Sequence, residues 1–160
     1  ATSPNEGTTI MTQAPSIVRR SNSLTSRLLR AGLPMGPNLL LTVRGRTSGR
    51  PRTFPVAVVE VEGRRWIAGA YGDVQWTRNL RAAGEADLEA KGHVEHVRAR
   101  ELSRDEATVW FRDVFQPYVG RLPFVGRLFG RAFFRLVSPE FMTDPERAAA
   151  TRPVFELTPA

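Results

Sequence analysis

Two apolar runs that face each other across an arginine-rich turn constrain this chain more than any other stretch. The first is Leu39-Leu40-Leu41-Thr42-Val43, and the second spans residues 54–61. Between them lie Arg44, Gly45, Arg46, Thr47, Ser48, Gly49, Arg50, Pro51 and Arg52. Short apolar runs bounded by glycine and proline read as buried strands. The turn is therefore held at one end of a rigid scaffold, with its charges projecting. Arginines this close repel one another unless something anionic lies among them. The turn is the first candidate for a binding site, and a merely solvated turn is the alternative.

The following residues repeat the hairpin theme. Glu62-Gly63-Arg64 reads as a tight turn returning the chain into a strand over 65–71, whose end Gly69-Ala70-Tyr71-Gly72 is small enough for a ligand to approach the backbone. A short helix is expected over 73–83, with Trp76, Asn79 and Leu80 on one face, stopped by Gly84. A second hairpin, 86–91 and 94–102, crosses at Gly92-His93. Ser103-Arg104-Asp105-Glu106 has the capping-box pattern, opening a helix that is expected to run to about Gln116 and stop before Pro117.

Residues 118–137 are basic and aromatic: Phe124, Phe129, Phe133 and Phe134 stand among Arg121, Arg127, Arg131 and Arg135. The last three arginines step by four, which makes one helical stripe. Ser138-Pro139-Glu140 and Asp144-Pro145-Glu146 are helix starts with proline in the first turn, and Pro153-Val154-Phe155-Glu156-Leu157 reads as a last strand. Six strands, three or four helices and no βαβ alternation point to a mainly β, α+β architecture: a small antiparallel barrel with peripheral helices.

Upstream of the barrel, residues 1–15 are polar and without periodicity, and are expected to be disordered. Residues 16–33 read as an amphipathic helix, with Ile17, Val18, Leu24, Leu28 and Leu29 near one face and Arg19, Arg20, Arg27 and Arg30 around it. Such a helix either packs on the domain or lies on a membrane surface. The 160 residues make one domain, expected over 16–160. No run of about 18 apolar residues exists to cross a membrane. Cysteine is absent, which removes disulfides and thiolate sites and fits a cytoplasmic protein. The net charge is +7, and of 23 basic residues all but Lys91 are arginine. The arginine fork suits bidentate contacts to phosphate or carboxylate, although a GC-rich genome also replaces lysine throughout.

Most familiar sites can be struck out. The segment 45–50 lacks the Lys-Ser/Thr ending of a triphosphate loop, and a strand follows it rather than a helix. There is no G-x-G-x-x-G and no G-x-S-x-G. His93 and His96, the only histidines, fall on opposite faces of a strand, so no metal site is expected. No nucleic-acid reading motif accompanies the basic residues. What remains is a set of arginines, hydroxyls, backbone groups and aromatics, suited to a flat anionic cofactor that carries the chemistry itself. Trp76 serves either as cover for such a ring or as core.

The run Gly45-Arg46-Thr47-Ser48-Gly49-x-Pro51-Arg52-x-x-Pro55 resembles the deazaflavin-dependent nitroreductases, the actinobacterial coenzyme F-420-dependent reductases. A second matching piece is Ala68-Gly69-Ala70-Tyr71-Gly72 followed by Trp76-x-x-Asn79-Leu80-Arg81-Ala82, and residues 153–157 are a third. The resemblance covers about residues 38–102. It implies a split β-barrel binding reduced deazaflavin in a groove, with hydride transfer from carbon 5 to a quinone, enone, unsaturated lipid or nitroaromatic. By the match, Arg46, Thr47, Ser48 and Arg52 would hold the phosphate region, with Arg50 sharing the grip. Thr53, Phe54 and Pro55 would follow the ring edge, and Ala68, Gly69, Ala70 and Tyr71 would line the ring. Gln75, Trp76, Thr77, Arg78 and Asn79 would complete the wall. Thr47 stands where family members often carry a basic residue, and Tyr71 where they often carry lysine. Tyr71 is the candidate proton donor, with Tyr118 the other. FMN, which related split barrels bind, is the alternative cofactor, and a non-enzymatic deazaflavin or lipid carrier the alternative function. A membrane-borne acceptor such as menaquinone would suit the basic helices and place the protein at the inner face of the cell membrane.

Overall fold

A side-chain period of two sorts the apolar residues of the strands onto two surfaces, and that sorting builds the fold. The computed structural model describes residues 38–160; the expected disorder over 1–15 and helix over 16–33 lie outside the described residues. Six strands are present: β1 (Asn38–Arg44), β2 (Pro51–Val61), β3 (Arg64–Ala68), β4 (Glu85–Ala90), β5 (His93–Glu101) and β6 (Val154–Pro159). All neighbours are antiparallel, and the sheet closes on itself in the order β1-β2-β3-β6-β5-β4. Leu41, Val43, Val56, Val58, Ile67, Leu88, Val97, Phe155 and Leu157 meet in one core inside the barrel. Their chain neighbours Val59, Trp66 and Val154 face outward and belong to a second core, shared with the helices.

The helices are α1 (Gln75–Ala83), α2 (Arg104–Val109), α3 (Gln116–Arg121), α4 (Phe124–Val137), α5 (Glu140–Thr143) and α6 (Pro145–Thr151). A π-helical turn, Trp110–Phe115, joins α2 to α3. The helix expected to stop before Pro117 therefore continues to Arg121. In the widened turn the Gln116 N–H bonds to Phe111 O, five residues back, and the chain then accepts a proline early in α3. The capping box at Ser103 and Glu106 forms as expected, with both reciprocal hydrogen bonds present. Phe141, at 1% exposure, sits among the rings of Phe111, Phe115 and Phe134 at 4.7, 5.3 and 5.1 Å.

The registers give the barrel two unlike ends. One end carries two tight hairpins, Glu62-Gly63 and Lys91-Gly92, with all four residues at positive φ, between 49° and 77°. This is the turn geometry that matches strand twist, and it places the second turn one residue earlier than expected. The other end collects the β1–β2 turn, the loop after β3, helix α1, and the helical excursion between β5 and β6. Strand β3 ends at Ala68 rather than at residue 71. Its continuation leaves the sheet because the Gly69 N–H bonds to Pro153 O (2.9 Å) and the Ala70 N–H turns back to Ala68 O (3.1 Å).

Replacing Phe141 with alanine should cost about 3–5 kcal/mol of folding free energy, because it empties the centre of the second core. Urea denaturation would show a lower midpoint at unchanged slope.

Candidate functional site

The arginine turn is shaped by close approach of its own backbone. Gly45 N–H donates to Arg50 O (2.9 Å) and Gly49 N–H to Gly45 O (2.8 Å). A Cβ on Gly45 would stand 2.9 Å from Ser48 Oγ and 3.1 Å from Arg50 O, and Gly49 holds φ at +67°. Glycine is needed at both places, for lack of room at the first and for backbone conformation at the second. Thr47, Ser48, Arg50 and Arg52 are exposed, and the Arg50 N–H bonds to Ser48 Oγ at 3.3 Å. Thr53 pairs across the strands with Thr42, hydroxyl to hydroxyl at 2.8 Å; Phe54 packs on the barrel core, and Pro55 is half-buried opposite Leu40.

Arg46 plays a different part from its neighbours. Its main-chain N–H and its Nη1 both donate to Asn79 Oδ1 (3.3 and 3.0 Å), and Nη1 also donates to Gln75 Oε1 (2.9 Å). Asn79 is 5% exposed, so its carboxamide is a fixed anchor. The two sequence motifs thus meet at this contact, 33 residues apart along the chain. Arg44, Arg50 and Arg52 make no ion pair among the described residues, and the sequence has no acidic residue between Glu6 and Glu60.

The loop after β3 is pinched as tightly. A Cβ on Gly69 would stand 2.8 Å from Gly72 O and 3.0 Å from Thr77 Cγ2. Ala68 and Ala70 are half-buried against the second core. The hydroxyl of Ser138, fully buried beyond the end of α4, donates a short hydrogen bond to Ala70 O. Tyr71 is half-buried, with its ring edge-on to Phe133 at 6.2 Å, and burial raises its pKa above the ordinary phenol value. The phenol therefore keeps its proton at neutral pH.

Helix α1 supplies the rest. Trp76 is half-buried, 6.2 Å from the Phe155 ring and against the barrel core; Gln75 is exposed. Thr77 is fully buried, its hydroxyl 2.9 Å from Asp73 Oδ1 and 2.8 Å from Val74 O. Arg78 and Arg81 both reach the Asp73 carboxylate, at 3.2 and 3.1 Å, and Arg81 also forks onto Glu101 at 2.5 and 2.8 Å. Partial burial works against the Asp73 charge, but the Thr77 hydroxyl, Arg81 and Arg78 outweigh it and hold the carboxyl below its ordinary value.

All the candidate residues lie at the loop-bearing end of the barrel. Asp73, Phe133 and Ser138 are additions that sequence reasoning missed. Ser138 looked like a helix cap, yet its side chain reaches back 68 positions. A groove of about 430 Å³ lined by Trp66, Leu102, Val109 and Trp110 shares no residue with this site. His93 and His96 form no metal cluster among the described residues; His96 instead pairs with Asp87 and Glu85 on the surface.

The profile of the family described as F420H(2)-dependent quinone reductase matches residues 12–122. The chain belongs to that family. It is an oxidoreductase, and its cofactor is coenzyme F420. Similar solved structures include one recorded as a domain-swapped dimer, 19% identical over 91% of this chain and all of the other, at a TM-score of 0.50. Another is an F420-H2 dependent reductase, 24% identical over 76% of this chain and 94% of its own, at 0.49. A third, from Clostridium acetobutylicum, is related to general stress protein 26 in the pyridoxinephosphate oxidase family; it is 10% identical, covers 86% and 82% of the two chains, and scores 0.48. No curated protein matches the sequence. The residues present fit such a cofactor: arginines without acidic partners stand beside exposed hydroxyls, and half-buried aromatics share the same end of the barrel.

The Arg46–Asn79 contact should show as coupling. In a double-mutant cycle of Arg46→Ala and Asn79→Ala, folding free energies are expected to be non-additive by about 1 kcal/mol. Asp73 should shape the acid limb of stability. Its folded pKa lies below its unfolded one, so its contribution is present above the ordinary carboxylate value and is lost as pH falls through the folded value. Urea midpoints between about pH 5 and pH 2 should fall less steeply in Asp73→Asn than in the parent.

Proposed function

We propose that this cytoplasmic enzyme reduces a lipid-borne quinone at an anionic membrane. The observation that carries the reading is Tyr71. A half-buried phenol that keeps its proton stands on the glycine-pinched loop, edge-on to an aromatic side chain of α4. A flat, apolar acceptor that needs a proton on its oxygen fits that surroundings better than a charged or strongly hydrated one.

Arg50 and Arg52, with the hydroxyls and backbone N–H groups of Thr47 and Ser48, would hold the phosphate and acidic tail of the cofactor. Arg46 sets the distance between that grip and α1 through Asn79 and Gln75. The backbone of Ala68, Gly69, Ala70 and Tyr71 would line the ring, with Thr53, Phe54 and Pro55 along its edge and Trp76 against it. Thr77 and Arg78 serve the same wall indirectly, by fixing Asp73 and so the start of α1. When bound, the reduced deazaflavin supplies a hydride to an electron-poor acceptor. The apolar lining excludes water, and Tyr71 Oη holds the proton that the acceptor oxygen takes.

Arg52→Ala should weaken cofactor binding about tenfold or more in a fluorescence titration, the loss expected for one charge-assisted contact; unchanged affinity would sink the phosphate grip. Tyr71→Phe should lower kcat for a soluble quinone analogue by about a hundredfold at unchanged cofactor affinity. Equal turnover would remove the phenol from proton transfer.

A further inference from the structure

Helix α4 buries none of its residues. Phe124 and Phe129 are each 70% exposed, Val125 62%, Leu128 57% and Leu136 85%. At about 100° per residue these five side chains and Phe133 fall on one half of the helix circumference. On the other side Phe134 holds the helix to the body, stacked on Phe141 at 5.1 Å and edge-on to Phe115 at 5.2 Å. Arg127, Arg131 and Arg135 step in a slanting row from the Phe134 side to one edge of the exposed face and make no ion pair among the described residues. No acidic residue occurs between Asp113 and Glu140.

Apart from Arg135 near one edge, the exposed face offers hydrocarbon and rings. It carries no amide or hydroxyl with which to register a protein partner, whereas a lipid surface demands none. At 14 residues the helix is about 21 Å long, shorter than the roughly 30 Å hydrocarbon layer. No helix of the described residues is long and apolar enough to cross a membrane. An apolar face bordered by unpaired arginines on a helix of that length suits the plane of an anionic bilayer.

We propose that α4 is a membrane-docking helix, its apolar face set into an anionic bilayer and its arginine row at the level of the lipid phosphates. Docking there also orients the site. Phe133 lies against Tyr71, and Ser138, just past the helix, is bonded to Ala70 of the same loop. A quinone dissolved in the bilayer then reaches Tyr71 along apolar side chains. This last step rests on the function proposed above; the docking itself does not.

The chain has no cysteine, so Leu136→Cys takes a single environment-sensitive fluorophore. With vesicles of phosphatidylglycerol and phosphatidylcholine in equal parts, the label should shift to the blue and the protein should sediment with them. Each arginine contributes about fivefold in affinity to an anionic surface, so Arg127→Gln/Arg131→Gln/Arg135→Gln should bind on the order of a hundredfold more weakly. Phe129→Asp should weaken binding at least tenfold. Neither variant alters a residue of the cofactor site, and cofactor titration verifies that each is folded. Three results would overturn the proposal: equal vesicle binding by parent and triple variant, sedimentation without a label shift, or a label shift that tracks protein concentration alone. The last would assign the face to a second copy of the chain.

Discussion

The carboxamide of Asn79 accepts from the main chain and the side chain of Arg46 at once, and the site depends on that contact. Closing the barrel brings the β1–β2 turn and α1 to the same end but does not set the gap between them. Two backbone-pinched segments, each held by a glycine with no room for a Cβ, lie at that end of the barrel. Without the clamp the turn would be held only by its own backbone hydrogen bonds and by the strands at its base. With it, one arginine is spent on structure and the others are presented outward from a fixed frame.

Much of this was legible in the sequence, for identifiable reasons. Strand existence followed from short apolar runs between glycines, and the closed barrel from hairpin-scale connections without crossover helices. The two motifs were visible because their glycines and arginines are local patterns. What stayed hidden was relational. Nothing in the spacing says that Arg46 serves Asn79 while Arg52 does not. Ser138 reads as a cap because a serine before Pro-Glu usually is one, and only the fold brings Ala70 to it. Pro117 stopped the expected helix because the rule against internal proline assumes an α-turn upstream, and the π-turn at Trp110–Phe115 lifts that assumption.

Burial on two surfaces divides the packing between the barrel and the helices. Among the described residues, the fully buried members of the barrel core all come from strands except Leu80 of α1, with Trp76 and Ala83 of the same helix packed against it. The outer core needs the helices, and its aromatic cluster of Phe111, Phe115 and Phe141 meets α4 through the partly buried ring of Phe134. Attachment through the rings of Phe133 and Phe134 leaves most of the apolar residues of α4 outside.

That economy bears on the chemistry. The loop from Gly69 to Gly72 is held from three directions: by Pro153 before the last strand, by Thr77 of α1, and by Ser138 after α4. Two of these restraints come from the start of β6 and from α1, and neither involves α4. The third couples the loop to the one helix that faces outward with an apolar surface. The contacts between α4 and that loop are one hydrogen bond at Ala70, from Ser138 just past the helix, and one ring contact at Tyr71. The arginine turn, the proposed cofactor grip, is braced separately, by its own backbone hydrogen bonds and by Arg46. On the function proposed above, holding the cofactor would be a task of the barrel end, and meeting the acceptor a task shared between the loop and α4.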